Sequence, residues 1–200
     1  MRVDRVLVVL LLSSLLSQSA AAQWSRPGDI TISAEPHGFG PTLQVTPFVP
    51  TDIFVVAFDP PEGVAQYRFA VDSLRQVGVM ILEAELPEGA VNADSEPGRF
   101  DVTLSSCNRE PTLVLARLSV IFLAPPPDDT AVFAVGLEGG ESAPDWTDCL
   151  GTTTDFAPLP FCGGGGGRFP DGSLVLNATT WVCPVGDGTF GSLKAAYGND

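Results

Sequence analysis

Glu83 and Glu85, in "VGVMILEAE", stand two residues apart on one face of an alternating segment, about 6 to 7 Å from each other by the strand rise. Paired carboxyls at such a separation can cleave a glycosidic bond when they flank a cleft. Two glutamates near a strand end more often meet only water, and nothing else in the chain proposes an acid and base pair. His37, the single histidine, lies in "EPHGFG" between a proline and a glycine, the setting of a turn residue. No G-x-S-x-G elbow accompanies it. No catalytic residue is assigned, and the chain is not expected to be an enzyme.

Two glycine-rich stretches invite a nucleotide reading. "FCGGGGGRFP" runs from Phe161 to Pro170, but a phosphate cradle of the G-x-x-x-x-G-K-[ST] type needs a lysine and a hydroxyl where this chain has Arg168, Phe169 and Pro170. Five glycines instead give backbone freedom beside Cys162, slack for leaving a crosslink and entering the last strand. "GDGTFG" matches G-x-G-x-x-G at Gly186, Gly188 and Gly191, yet the dinucleotide fingerprint needs an acidic residue about twenty positions on. It reads as a turn before a short terminal helix. No cofactor is expected.

"PDWTDC" sets Trp146 between Asp145 and Asp148, an aromatic with a polar rim that could stack on a sugar or anchor a partner. The competing reading folds Trp146 onto the sandwich edge or against a disulfide through Cys149. Trp181, two residues before Cys183, has the same two readings. Asp128, Asp129, Asp145, Asp148 and Asp155 are oxygen donors without the spacing of a calcium loop, so no metal site is assigned. "NAT" at Asn177 is a glycosylation sequon.

The elements that must position these residues begin after a leader. "MRVDRVLVVLLLSSLLSQSAAAQW" has basic residues at Arg2 and Arg5, an apolar run from Val6 to Leu16, and small residues at Ala20 and Ala22, the pattern of a secretory signal cut before Gln23. That run is short of the roughly 18 to 20 residues of a bilayer span. Loss of Arg2, Asp4 and Arg5 with the leader takes the formal charge from −14 to −15. So acidic a surface repels phosphate backbones and anionic lipid, which argues against nucleic acid or membrane as partners. Cys107, Cys149, Cys162 and Cys183 form an even set in an exported chain, which reads as two disulfides, and no C-x-x-C pair suggests zinc. Three pairings are open. Loop-closure entropy leans slightly toward Cys107 with Cys149 and Cys162 with Cys183.

"YRFAVD" alternates Tyr67, Phe69 and Val71 against Arg68, Ala70 and Asp72, and "RFDVTLS" sets Phe100, Val102 and Leu104 inward. Further strands are read at 29–33, 42–48, 52–58, 77–85, 111–123, 130–137 and 172–178, with Pro, Gly and Asp separators at 59–63, 95–98 and 124–129. Several are apolar on both faces. In 111–123, strict alternation puts Leu113, Leu115 and Ile121 on one side and Val114, Leu118 and Phe122 on the other. About nine strands spaced by turns make an all-β, two-sheet antiparallel sandwich, of jelly-roll or immunoglobulin-like course. The expected division is leader 1–22, sandwich core 23–138, irregular Cys/Gly-rich loop 139–171, last strand and Cys-bearing tail 172–188, and a short amphipathic helix 189–200. In that helix Phe190, Leu193 and Tyr197 share a face.

The order "VAQYRFAVDSL", "GVMILEAELPEG", "RFDVTLSS", "PTLVLARLSVIFLAP" resembles the cohesin-like and carbohydrate-binding-module-like sandwiches of secreted bacterial proteins over roughly residues 28 to 137. "DWTDCLG" and "DGSLVLNATTWVCPV" resemble the Cys-bearing tail of such proteins, and "TFGSLKAAY" a short terminal segment found on them. The resemblance implies a module that binds a protein partner through a sheet face, or a glycan, in a secreted, periplasmic or cell-surface setting. The poly-Gly insert and Cys162 depart from it. No partner-contact residue carries over. The expectation is a non-catalytic binding or structural module, with glycan binding through Trp146 as the alternative and a glycoside hydrolase as the third reading.

Overall fold

The computed structural model describes residues 26–37, 40–137, 143–160 and 169–179. The leader, the glycine run, Cys162, Trp181, Cys183 and the terminal helix expected at 189–200 lie outside the described residues. Thirteen strands and one short helix, α1 (Asp72–Gln76), occur among those described. The chain is all-β, and its strands form two five-stranded sheets and one small sheet of three.

The first sheet is built on β3 (Thr51–Phe58) and β8 (Thr112–Phe122), flanked by β1 (Asp29–Ser33) and β5 (Val79–Glu85), with β12 (Ala157–Pro158) added in parallel beside β1. Its long strands are antiparallel. The Val, Ile and Phe runs of β3 and β8 suit central positions, where branched and aromatic side chains pack on both faces of the pleat. The second sheet runs β11 (Thr153–Asp155), β10 (Asp145–Thr147), β4 (Val64–Ala70), β7 (Arg99–Asn108) and β6 (Val91–Asn92), antiparallel throughout. In the third, β13 (Leu174–Leu176) lies between β2 (Thr42–Leu43) and β9 (Thr130–Val132).

Between the two large sheets lies one core. Ile30, Ile32, Ile53, Val55, Leu115 and Leu118 enter it from the first sheet, and Tyr67, Phe69, Phe100, Val102 and Trp146 from the second. The ring of Phe69 stacks on Phe100 at 4.7 Å between centroids. The Tyr67 hydroxyl is satisfied by donating to the Leu115 carbonyl at 2.5 Å, which lets so large a polar residue be fully buried.

Each of the nine segments read from the sequence contains a strand, but one face assignment is corrected. Strict alternation along 111–123 fails at Leu115, because Val55 pairs with Ala116 and Val56 with Val114, leaving Leu115 as the extra residue of a β-bulge. From there the parity shifts by one. Leu113, Leu115, Leu118, Val120 and Phe122 point into the core, whereas Ile121 lies on the outer face with Val114. Segment 42–48 is also shorter as a strand than its pattern suggests: after Leu43 the chain turns away, and Phe48 adopts a left-handed φ of 62°.

The aperiodic stretch 139–171 contributes β10, β11 and β12, each of two or three residues, too short to leave a period in sequence. A disulfide between Cys107, on β7, and Cys149, just after β10, straps this stretch to the second sheet across β4. Its space is made by Gly63, where a Cβ would lie 2.9 Å from Cys149 Sγ and 2.5 Å from the Asn108 carbonyl oxygen.

Candidate functional site

The two sheets present unlike outer faces. On the second, Gln66, Arg68, Asp101, Thr103, Asp145 and Thr147 face outward, and Val91, paired with Thr103, is an exposed large hydrophobic beside them. Arg68 donates two bonds of 2.9 Å to Asp145 directly across the ladder, and Gln66 donates to Asp101 at 2.9 Å. This face is finished by water and its own polar pairs.

The outer face of the first sheet is apolar, and only half covered. Over β1 and β3, Val56 and Phe58 are buried in a second cluster with Leu159, beside Phe54; the chain carrying Leu159 is fastened by its N–H to the Ile30 carbonyl at 2.8 Å. Over β8 and β5 this cover stops. Met80, directly across from Ile121, is 50% exposed, and Leu82 equally so. Leu123 follows at 48%, Val49 at 47% and Phe48 at 70%. The pieces are held together by backbone bonds: the Phe48 N–H donates to the Phe122 carbonyl, and the Leu123 N–H to that of Gly78. Among the described residues seven large hydrophobics are exposed, and five of them gather here; Val91 and Leu150 lie elsewhere. Scattered exposed apolar residues need no explanation, but a contiguous group on one sheet end marks an interaction surface.

A charged row borders this patch. Arg117 of β8 donates to Asp52 of β3 at 2.7 Å and to Glu85 of β5 at 3.0 Å, and these contacts push its guanidinium pKa up. Beyond the row, at the other end of the same face, opens a groove of about 520 Å³ lined by Phe54, Leu86, Val114, Glu88, Glu110 and His37. Strand β5 forms the open edge of the sheet, and its register slips at Leu82, a bulge of the kind that discourages edge pairing.

Trp146 is not the exposed platform that the glycan reading requires. Its indole is 4% exposed and packs on Phe156 at 4.7 Å between centroids, because β10 joins the second sheet with Trp146 on the core side. Asp145 is spent on Arg68. Asp148 closes a tight loop, accepting from the backbone N–H groups of Leu150 and Thr152 at 2.8 Å each, and those bonds, Thr152 foremost, hold its carboxyl below the usual range. The three residues therefore point three ways: one into the core, one along the sheet surface and one into a turn. Glu83 and Glu85 do share a depression with Asp52, Arg117 and Ser119, but its volume is about 90 Å³, and Glu85 is held as the ion partner of Arg117. His37 lines the larger groove, which Glu85 and Arg117 also border. Among the described residues no group of three or more His, Cys, Asp or Glu could hold a metal ion, and no helix is long and apolar enough to cross a membrane.

No family model matches the sequence, and no curated protein does. Among solved structures the chain is similar to a cohesin module from a family 33 glycoside hydrolase of Clostridium perfringens, at 12% identity and a TM-score of 0.47, covering 77% of this chain and 99% of that one. It is similar to the same degree, 12% identity and a TM-score of 0.47, to the sixth cohesin of scaffoldin B from Acetivibrio cellulolyticus, determined in complex with a dockerin; the match covers 76% of this chain and 99% of that one. The fold is a two-sheet β-sandwich by its own strand pairing and shared core. The surface assignment stands on the chain's own pairing and exposure.

Proposed function

We propose that this chain is an exported, non-catalytic assembly module that docks a protein partner on the outer face of its first sheet, at the β5–β8 end. The observation that carries this reading is the gathering of Phe48, Val49, Met80, Leu82 and Leu123 at one exposed end of a sheet whose twin is mostly polar outside, with Val91 exposed there. An apolar centre beside a charged rim of Asp52, Glu85 and Arg117 is the usual anatomy of a protein-binding patch. Self-association is opposed by a formal charge of −15 on every copy once the leader, with Arg2, Asp4 and Arg5, is removed. The leader and the Cys107–Cys149 disulfide support export into an oxidising compartment. The glycan reading loses its support with Trp146 buried, and the hydrolase reading with Glu85 engaged by Arg117.

Photo-crosslinking in the native host tests the proposal. A photoreactive side chain at Met80 is expected to give one discrete protein adduct, lost when Leu123→Asp is added, while the same probe at Thr103 on the polar face gives none. Equal or absent adducts at both positions would overturn it.

A further inference from the structure

We infer that the groove at the far end of this face receives an arginine side chain of the docked partner, its stem on the apolar floor and its guanidinium at the carboxylates of Glu88 and Glu110. The floor is made by Phe54, Leu86 and Val114, each half-buried, and the exposed Glu88 and Glu110 stand on the rim. At about 520 Å³ the groove has room for that side chain and for the backbone that carries it.

Three glutamates and one arginine border the groove, with His37 at its edge. The arginine, Arg117, is already engaged by Glu85 and Asp52. Among the described residues Glu88 and Glu110 belong to no ion pair. Arg109, next to Glu110 in the chain, lies instead by Gly63 and the disulfide: a Cβ at Gly63 would stand 2.7 Å from its Cγ and 2.9 Å from Cys149 Sγ. The groove therefore carries an excess of negative charge over an apolar floor, and that combination selects a cation with an apolar body. A long basic side chain meets it, covering the floor with its stem while the charged head stays at the rim. Arginine fits better than lysine, because a planar guanidinium can lie on the Phe54 ring and bond a carboxylate through two parallel N–H groups. A bare metal ion fits less well, since among the described residues no three His, Cys, Asp or Glu groups converge to hold one.

The ladder ties the groove to the apolar patch. Phe54 of β3, Arg117 of β8 and Glu85 of β5 are register partners in one row across the outer face, and Met80 with Ile121 forms another. From Ile121 to Val114 is seven residues along β8, about 20 Å by the strand rise after allowing for the bulge. The inference rests on reading this face as a docking surface and adds what the partner must carry. It needs an apolar anchor for Met80, Leu82 and Leu123 and an arginine about 20 Å away, which on a helix is a spacing of about thirteen residues.

The test titrates the purified protein with acetyl-arginine amide and follows backbone amide shifts by NMR, with acetyl-citrulline amide as the neutral isostere. Saturable shifts centred on residues 54, 86–88 and 110–114 are expected for arginine. The affinity should fall by roughly threefold or more with citrulline, and equally in a Glu88→Gln, Glu110→Gln variant that keeps its thermal transition, the scale of two exposed ion pairs. An equal response to citrulline, shifts centred elsewhere, or no shifts overturns the inference. The same double substitution, added to the Met80 probe in the host, should lower the partner adduct by a similar factor. A Met80 adduct unchanged by it would overturn the arginine site and keep the docking face, whereas groove shifts for arginine with no Met80 adduct would overturn the docking face and keep the arginine site.

Discussion

The six-membered ring of Trp146 lies directly over Gly28, so closely that a Cβ at position 28 would stand 2.8 Å from Cη2. Gly28 also has a φ of +81°, and its carbonyl accepts from the Ala157 N–H that joins β12 to the sheet. Both the steric and the backbone argument forbid a side chain there. Gly28→Ala should lower stability by about 2 to 3 kcal/mol, combining overpacking with backbone strain. Trp146→Ala, by leaving a cavity against Phe156, should cost about 3 to 5 kcal/mol. Chemical denaturation measures both; a Trp146→Ala protein of unchanged midpoint would contradict the core placement.

The Cys107–Cys149 bridge closes a loop over a sequence separation of 42 and ties the turn after β10 to β7. Cys107→Ser with Cys149→Ser should lower stability by about 2 to 4 kcal/mol. The loss should appear locally as faster amide exchange across 145–155, since β10 and β11 are short and hang on β4 alone. Exchange rates unchanged in that segment, with only a global loss, would place the strap's effect in the unfolded chain and not on β10.

How far the fold could be read in advance follows from strand length and parity. Strands such as β4 and β7 announced themselves because one face meets the core and the other water, so Tyr67, Phe69, Phe100 and Val102 alternate with charged neighbours. Strand β8 gave its extent but not its faces, because the bulge at Leu115 shifts parity without any change of composition. Strands β10 to β12 left no period at two or three residues each, and with them went the means of seeing that Trp146 turns inward. The candidate docking face was legible only as a surplus of apolar residues. Which of them stay exposed depends on where the segment carrying Leu159 stops, a matter of tertiary placement.

Asn177 stands in a sequon, yet its side-chain amide is already used at both ends, accepting from Val45 and donating to Pro126, and its backbone φ is +48°. A glycan on Nδ2 would leave that nitrogen a single N–H and crowd the 124–129 turn that its bond to the Pro126 carbonyl now reaches. Expression in a glycosylating host is expected to leave Asn177 unmodified, as read by the mass of the peptide spanning 169–179. Asn177→Ala should lower stability by about 1 to 3 kcal/mol, since it frees the Val45 N–H and the Pro126 carbonyl together. Asn177→Asp should retain the first bond and lose the second. A glycosylated peptide from folded protein would show that the amide is free.

Asp29 is fully buried, with Oδ2 accepting from the Arg26 N–H at 2.6 Å and Oδ1 lacking a partner among the described residues. Burial raises its pKa above the ordinary 3.8, with the charge of Asp171 adding to the rise and Arg26 opposing it. Between the unfolded and the folded pKa, the folded state therefore holds a proton that the unfolded chain has released. Stability contributed by that proton is complete below about pH 3.8 and is lost as pH rises through the folded-state pKa. Asp148, whose carboxyl is held low by backbone N–H groups, works in the opposite sense, its contribution lost as pH falls. Asp29→Asn keeps an acceptor for the Arg26 N–H and removes the charge. At pH 7 it should be more stable than the parent, and the advantage should shrink toward zero as pH is lowered to about 4. Thermal midpoints of the two proteins across that range measure the difference; a constant or inverted gap would show that the buried carboxyl stays ionised at a normal pKa.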